Sequence, residues 1–208
     1  MNRFFWIAFA ILLLASCGKE ATKEAVLSEG SVVLALGDSL TAGAGVTIQQ
    51  AWPALLAERT DWDVINGGVN GDKSSDALQR LPALLNAHDP VLVLVALGGN
   101  DMLRRIPEQE TVNNLGEIIS LVQEHGAEPV LLATPQPSIA GAVFQNLSAP
   151  EFYRIVADRY KVHLIENAVA EVISDPELKG DPLHPNVEGH VLLSDKIFSD
   201  LRRLGYAR

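Results

Sequence analysis

The chain has 208 residues, 48% of them hydrophobic and 20% charged, which suits one domain with a sizeable core. Its 16 basic and 26 acidic residues leave a net charge of −10. Such a surface repels phosphate backbones, so nucleic acid is excluded as an expected partner.

The N-terminus reads as a targeting segment. Met1-Asn2-Arg3 is a short positive start, and the apolar run from Phe4 to Ser16 is 13 residues long. A membrane span needs about 20, so residues 1–16 are expected to be a signal peptide. Leu14-Ala15-Ser16-Cys17 resembles the lipobox of bacterial lipoproteins, which implies a lipidated Cys17. Cys17 is the only cysteine, so no intrachain disulfide can form. The resemblance implies anchoring to a membrane at the bacterial cell envelope, on the periplasmic or extracytoplasmic face. Residues 17–30 are small, polar and charged and read as the lipidated N-terminus and tether. Residues 31–208 form the expected folded domain.

Five apolar, β-branched-rich runs follow: Val32–Leu36, Trp62–Asn66, Val91–Leu97, Val130–Ala133 and Val162–Ile165. Most are continuous rather than alternating, as in parallel strands covered on both faces. Helical patterns separate them. Ala51–Arg59 carries Trp52, Leu55 and Leu56. Ser74–Asn86 carries Leu78, Leu81, Leu84 and Leu85, and Pro82 is expected to split it. Thr111–His125 stops at Gly126. Ser148-Ala149-Pro150-Glu151 resembles a capping box opening a helix to Tyr160. Val187–Leu204 is the last helix. The alternation predicts an α/β protein, a three-layer α/β/α sandwich around a five-stranded parallel sheet of flavodoxin-like type.

Ligands of such sheets bind at the carboxyl ends of the strands. Gly37-Asp38-Ser39-Leu40 follows the first strand, Asn66-Gly67-Gly68-Val69-Asn70-Gly71 the second and Gly98-Gly99-Asn100-Asp101 the third. Asp181-Pro182-Leu183-His184 precedes the last helix. Singly, each is a common turn: Gly71 could merely supply a positive φ, and Asn100 could merely cap its loop. Together they bring a hydroxyl, a base, a carboxylate and amide donors to one edge, the set that acyl transfer needs.

These blocks resemble those of the SGNH, or GDSL, hydrolase family, from about Val32 to the last helix. Ala51-Trp52-Pro53-Ala54-Leu55-Leu56, Leu97-Gly98-Gly99-Asn100-Asp101 and His184-Pro185-Asn186 are similar to its bacterial arylesterase and acyl-CoA thioesterase/lysophospholipase branch. The resemblance implies Ser39 as nucleophile, His184 as base and Asp181 as the group orienting it. It implies an oxyanion hole from the N–H groups of Ser39 and Gly71 and the amide of Asn100. It implies no cofactor, and the sequence shows no metal-ligand cluster. Small-molecule esters, aryl esters, acyl thioesters or lysophospholipids are the implied substrates. The alternative is a cell-envelope carbohydrate O-deacetylase, which would need a polar, open acyl site. A binding module without activity would not need Ser39, Asn100, Asp181 and His184 together.

Of the other histidines, His190 reads as a helix-surface residue, and His88, His125 and His163 as loop, helix-end and strand residues. Asp38 and Asp101 are expected only to fix loop geometry. Ala44 stands where close relatives often have Tyr, and Met102-Leu103-Arg104-Arg105 where they have Gly-Leu-Arg-Gly. Pro137-Ser138-Ile139-Ala140-Gly141, with Val143 and Phe144, is expected to border the acyl pocket.

Overall fold

The structure, a computed structural model, describes residues 26–136 and 146–208. All five expected strands form: β1 (Val32–Gly37), β2 (Asp63–Gly68), β3 (Leu92–Ala96), β4 (Glu128–Leu132) and β5 (His163–Ile165). They make one parallel sheet in the order β2-β1-β3-β4-β5. The order reverses at β1, so a crevice opens beyond the carboxyl ends of β1 and β3.

The continuous apolar runs are explained by the two helical layers. Val33, Ala35, Leu92, Leu94, Val130 and Leu132 face one layer. It comprises α2 (Trp52–Thr60), α7 (Ala168–Ser174) and α8 (Val187–Leu204). Leu34, Leu36, Val93, Val95 and Leu131 face the other, which comprises α3 (Ser74–His88), α5 (Glu108–His125) and α6 (Phe152–Tyr160). Alternate residues of a strand point to opposite faces, so a strand covered on both sides must be apolar throughout. Two further short helices, α1 (Ser39–Ala42) and α4 (Gly99–Leu103), begin at the ends of β1 and β3.

Three expectations need correction. Pro82 does not split its helix; α3 runs unbroken from Ser74 to His88. Pro82 is exposed, so the carbonyl it leaves without an N–H partner lies on the solvent side. The capping box at Ser148 does not form. α6 begins at Phe152, and Glu151 instead pairs with Arg154 at 3.0 Å. Within the stretch read as tether, Leu27 packs against the core and its N–H donates to the Tyr206 carbonyl at 2.9 Å. The folded unit thus includes residues before Ser31. Cys17 and the expected signal peptide, residues 1–16, lie outside the described residues.

Arg105 adopts φ +56° just beyond α4, its N–H donating to the Met102 carbonyl. This is the left-handed position after a helix, where glycine carries no Cβ penalty. Arg105→Gly is expected to raise stability by about 1 kcal/mol, read as a higher denaturation midpoint with an unchanged slope.

Candidate active site

Ser39 opens α1 immediately after β1, where the chain turns sharply. The turn is set by Asp38, whose Oδ1 accepts the Leu40 N–H at 3.0 Å. It also needs small neighbours: a Cβ on Gly68 would lie 2.2 Å from the Ala42 nitrogen, and one on Gly37 would lie 2.1 Å from Thr41 Oγ1. The β2 end is thereby drawn against α1, and Asn66 locks it by donating to the Thr41 carbonyl at 3.0 Å.

His184 arrives from the far end of the chain on a braced loop. Lys179 and Pro185 form a β-bridge, and the Gly180 N–H donates to the His184 carbonyl at 3.0 Å. Asn186 caps α8 by accepting the Gly189 N–H at 2.8 Å, and its own amide donates to the Glu177 carbonyl at 2.8 Å. A side chain on Gly189 would run into the Leu178 carbonyl.

The loop delivers His184 Nε2 to 2.9 Å from Ser39 Oγ. Its Nδ1 lies 2.8 Å from Asp181 Oδ2. Asp181 Oδ1 accepts the N–H groups of Leu183 at 2.7 Å and His184 at 2.9 Å. The His184 contact, with those two N–H bonds, holds the Asp181 carboxyl below the usual carboxylate range. Hydroxyl, imidazole and carboxylate thus form one continuous relay, able to take a proton from Ser39 and return it to a leaving group.

Gly71 adopts φ +80° in the turn after β2, and Asn100 lies in the first turn of α4. Among the described residues the N–H groups of Ser39 and Gly71 take no backbone partner. Both residues line one cavity with Asn100 and His184, an arrangement that can offer three donors to one oxygen. Arg104 Nη2 donates to the Gly71 carbonyl at 2.9 Å, which fixes that turn.

The cavity holds about 680 Å³, and Leu40, Leu103, Leu147, Ile173 and Leu183 supply much of its wall. Leu103 is 46% and Leu183 45% exposed, so the rim is apolar as well. Residues 137–145, expected at the acyl pocket, lie outside the described residues; Gln136 and Leu147 on either side of them line the cavity. Among the described residues no group of three His, Cys, Asp or Glu side chains could hold a metal ion.

Asp38 and Asp101 tie loops together, as expected, though each does so through specific partners. Asp38 Oδ2 accepts from Asn100 Nδ2 at 3.1 Å. Asp101 accepts from the Ser74 N–H at 2.9 Å and the Ser74 hydroxyl at 2.5 Å, joining α4 to α3.

His190 is not on the helix surface. It is 0% exposed, and its Nδ1 accepts the Trp52 N–H at 3.3 Å. Nε2 therefore carries the proton, and among the described residues it is buried without a partner. Burial, and then the nearby His184 charge, lower its pKa to about 4. An unfolded His titrates near 6.5. The stability it contributes is complete above that value and falls as pH drops towards 4, by at most about 3 kcal/mol. Asp38 works in the opposite sense, because burial raises its pKa to about 6 and its contribution is lost as pH rises through that value. His190→Gln keeps an acceptor for Trp52 and removes the titration. Denaturant melts at pH 7 and pH 4.5 should show the wild type losing more stability than this variant.

The GDSL-like lipase/acylhydrolase family model matches residues 35–192. An arylesterase of Vibrio mimicus is 35% identical over 175 residues, covering 81% of this chain and 87% of its own. Thioesterase 1/protease 1/lysophospholipase L1 of Escherichia coli K12 is 37% identical over 175 residues, covering 83% and 84%. The crystal structure of TesA superposes with a TM-score of 0.75 at 30% identity, covering 84% of this chain and 99% of the other. With its serine, histidine and aspartate in one relay and its α/β/α sandwich, the chain belongs to the GDSL-like lipase/acylhydrolase family, a family of hydrolases.

Proposed function

We propose that this protein hydrolyses short- to medium-chain carboxylic esters, aryl esters, acyl thioesters or lysophospholipids through a covalent acyl-serine. Ser39 attacks the carbonyl carbon while His184 takes its proton. Ser39 N–H, Gly71 N–H and the Asn100 amide hold the oxyanion. His184 then protonates the leaving alcohol or thiol, and water, deprotonated by His184, releases the acid. The observation that carries the reading is the unbroken contact from Asp181 through His184 to Ser39, at 2.8 and 2.9 Å. The apolar wall of an about 680 Å³ cavity favours an acyl chain over a sugar. Cys17 carries the lipid that anchors the enzyme to the membrane at the cell envelope, supported by the lipobox-like Leu14-Ala15-Ser16-Cys17.

The test is a hydrolysis panel: p-nitrophenyl esters of increasing chain length, acyl-CoA, lysophospholipid and acetylated sugars. Turnover should be highest for short to medium acyl chains. Selective release of acetate from the sugars, with no turnover of longer acyl groups, would replace this reading with the O-deacetylase. For the anchor, Cys17→Ser should move the protein out of the detergent phase; retention there would overturn lipidation at Cys17.

A further inference from the structure

Asp38 is 2% exposed, and both of its oxygens are engaged, Oδ1 by the Leu40 N–H at 3.0 Å and Oδ2 by Asn100 Nδ2 at 3.1 Å. The second contact answers a question that the Asn100 side chain poses. A primary amide has an NH₂ end and an oxygen end of nearly equal size. Packing alone gives the loop little reason to turn one or the other towards the cavity. An ionised carboxylate accepts and cannot donate, so it draws the NH₂ end to itself. One amide hydrogen is used on Asp38, and the second is left to point elsewhere.

We propose that Asp38 is a positioning residue: its carboxylate orders the Asn100 amide so that an N–H, and not the carbonyl oxygen, meets the oxygen of the bound ester. The proposal rests on the reading of Asn100 as an oxyanion donor. The reversed amide is opposed twice, because it sets Asn100 Oδ1 against Asp38 Oδ2 and presents an oxygen to a developing negative charge. Protonation of Asp38 removes the first opposition, since its O–H can donate to Asn100 Oδ1. Burial raises this carboxyl to about 6, against the pull of the Leu40 and Asn100 hydrogen bonds. The other groups that act on it are His184 on the loop before α8 and Asp72 between β2 and α3. Tyr153 of α6 feels the charges of Asp38 and Asp101, and Arg80 of α3 donates to the adjacent Gly37 carbonyl at 3.1 Å. The competing role is plain capping of α1, which would act on Ser39 and be indifferent to Asn100.

A double-mutant cycle separates the two. kcat and KM for p-nitrophenyl butyrate, with melting temperatures, are measured for wild type, Asp38→Asn, Asn100→Ala and the double variant. Asn at position 38 keeps an acceptor for the Leu40 N–H but turns an NH₂ towards Asn100, inviting the reversed amide. Asn100→Ala should lower kcat by about 10²–10³. Asp38→Asn should lower it by about tenfold up to that full loss, with KM little changed. In the Asn100→Ala background it should cost less than about twofold more. Losses that multiply would overturn the proposal and leave Asp38 as a cap. Full kcat in Asn100→Ala would overturn the oxyanion reading of Asn100 itself. A pH series needs no Asp38 variant and stands if that variant misfolds. Below pH 6, wild-type kcat/KM should fall more steeply than that of Asn100→Ala; equal slopes would overturn the proposal.

Discussion

Replacing Ser39 by alanine is expected to lower kcat by roughly 10⁶-fold and to abolish labelling by a fluorophosphonate probe, with the melting temperature nearly unchanged. The size of the loss follows from the relay. Without Oγ no acyl-enzyme can form, and His184 Nε2, 2.9 Å from that oxygen, has nothing to activate. What remains is water attack assisted by the oxyanion donors and by binding, which is a small residue of the whole. The thermal result follows from the same contact. Ser39 is half-buried, and among the described residues His184 is its only side-chain hydrogen-bond partner, so the fold loses about 1 kcal/mol or less. Substrate binding should persist, because Leu40, Leu103, Leu147, Ile173 and Leu183 still line the cavity. Intact-mass analysis before and after the probe, with kcat from a p-nitrophenyl ester, checks both halves. A second labelled residue, or a variant with full turnover, would remove Ser39 as nucleophile.

The sheet was legible because its strands are buried on both faces. Runs such as Leu92-Val93-Leu94-Val95 admit few other readings, and the structure keeps all five with shifts of one or two residues. The last helix was legible to the residue, since Asn186 caps it and Gly205 ends it at φ +96°. Pro82 misled because a proline rule speaks of lost hydrogen bonds and not of which face loses them. The triad was legible only as a set: Ser39 and His184 lie 145 positions apart, and residue spacing carries no information on a contact of that kind. His190 illustrates the converse. Its packing is decided by the Trp52 backbone from another helix, and a histidine beside exposed Val187 and Val191 looks superficial in one dimension. The contacts of Asp38 with Asn100 and of Arg104 with Gly71 were likewise beyond reach. They join loops at the ends of different strands, which only the sheet order β2-β1-β3 brings together.

Asp181 gives the second large effect, and here two variants should separate in a direction that charge alone does not predict. Asp181 Oδ1 is fixed by the N–H groups of Leu183 and His184, at 2.7 and 2.9 Å. In Asp181→Asn the amide oxygen must keep that place, because only an acceptor suits two donors. The amide nitrogen then falls where Oδ2 stood, 2.8 Å from His184 Nδ1. A donor there forces Nδ1 to accept, and the imidazole proton moves to Nε2, aimed at Ser39 Oγ. The base is locked in the tautomer that cannot take the serine proton, and kcat should fall by about 10⁴-fold. Asp181→Ser is the informative partner. Its short hydroxyl can still accept from the backbone two residues on, holding the turn, but it does not reach Nδ1 with a competing donor. The Asp181 side chain is 51% exposed, so water can accept the Nδ1 proton in its absence. Asp181→Ser should therefore lose about 10²–10³-fold, clearly less than Asp181→Asn. If the carboxylate acted only by stabilising the imidazolium, both neutral variants would lose alike. If it acted only by bracing the loop, the asparagine would be the milder of the two. Measuring kcat for both at pH 8 decides among the three, and an asparagine variant as active as the serine variant would remove tautomer control from the role of Asp181.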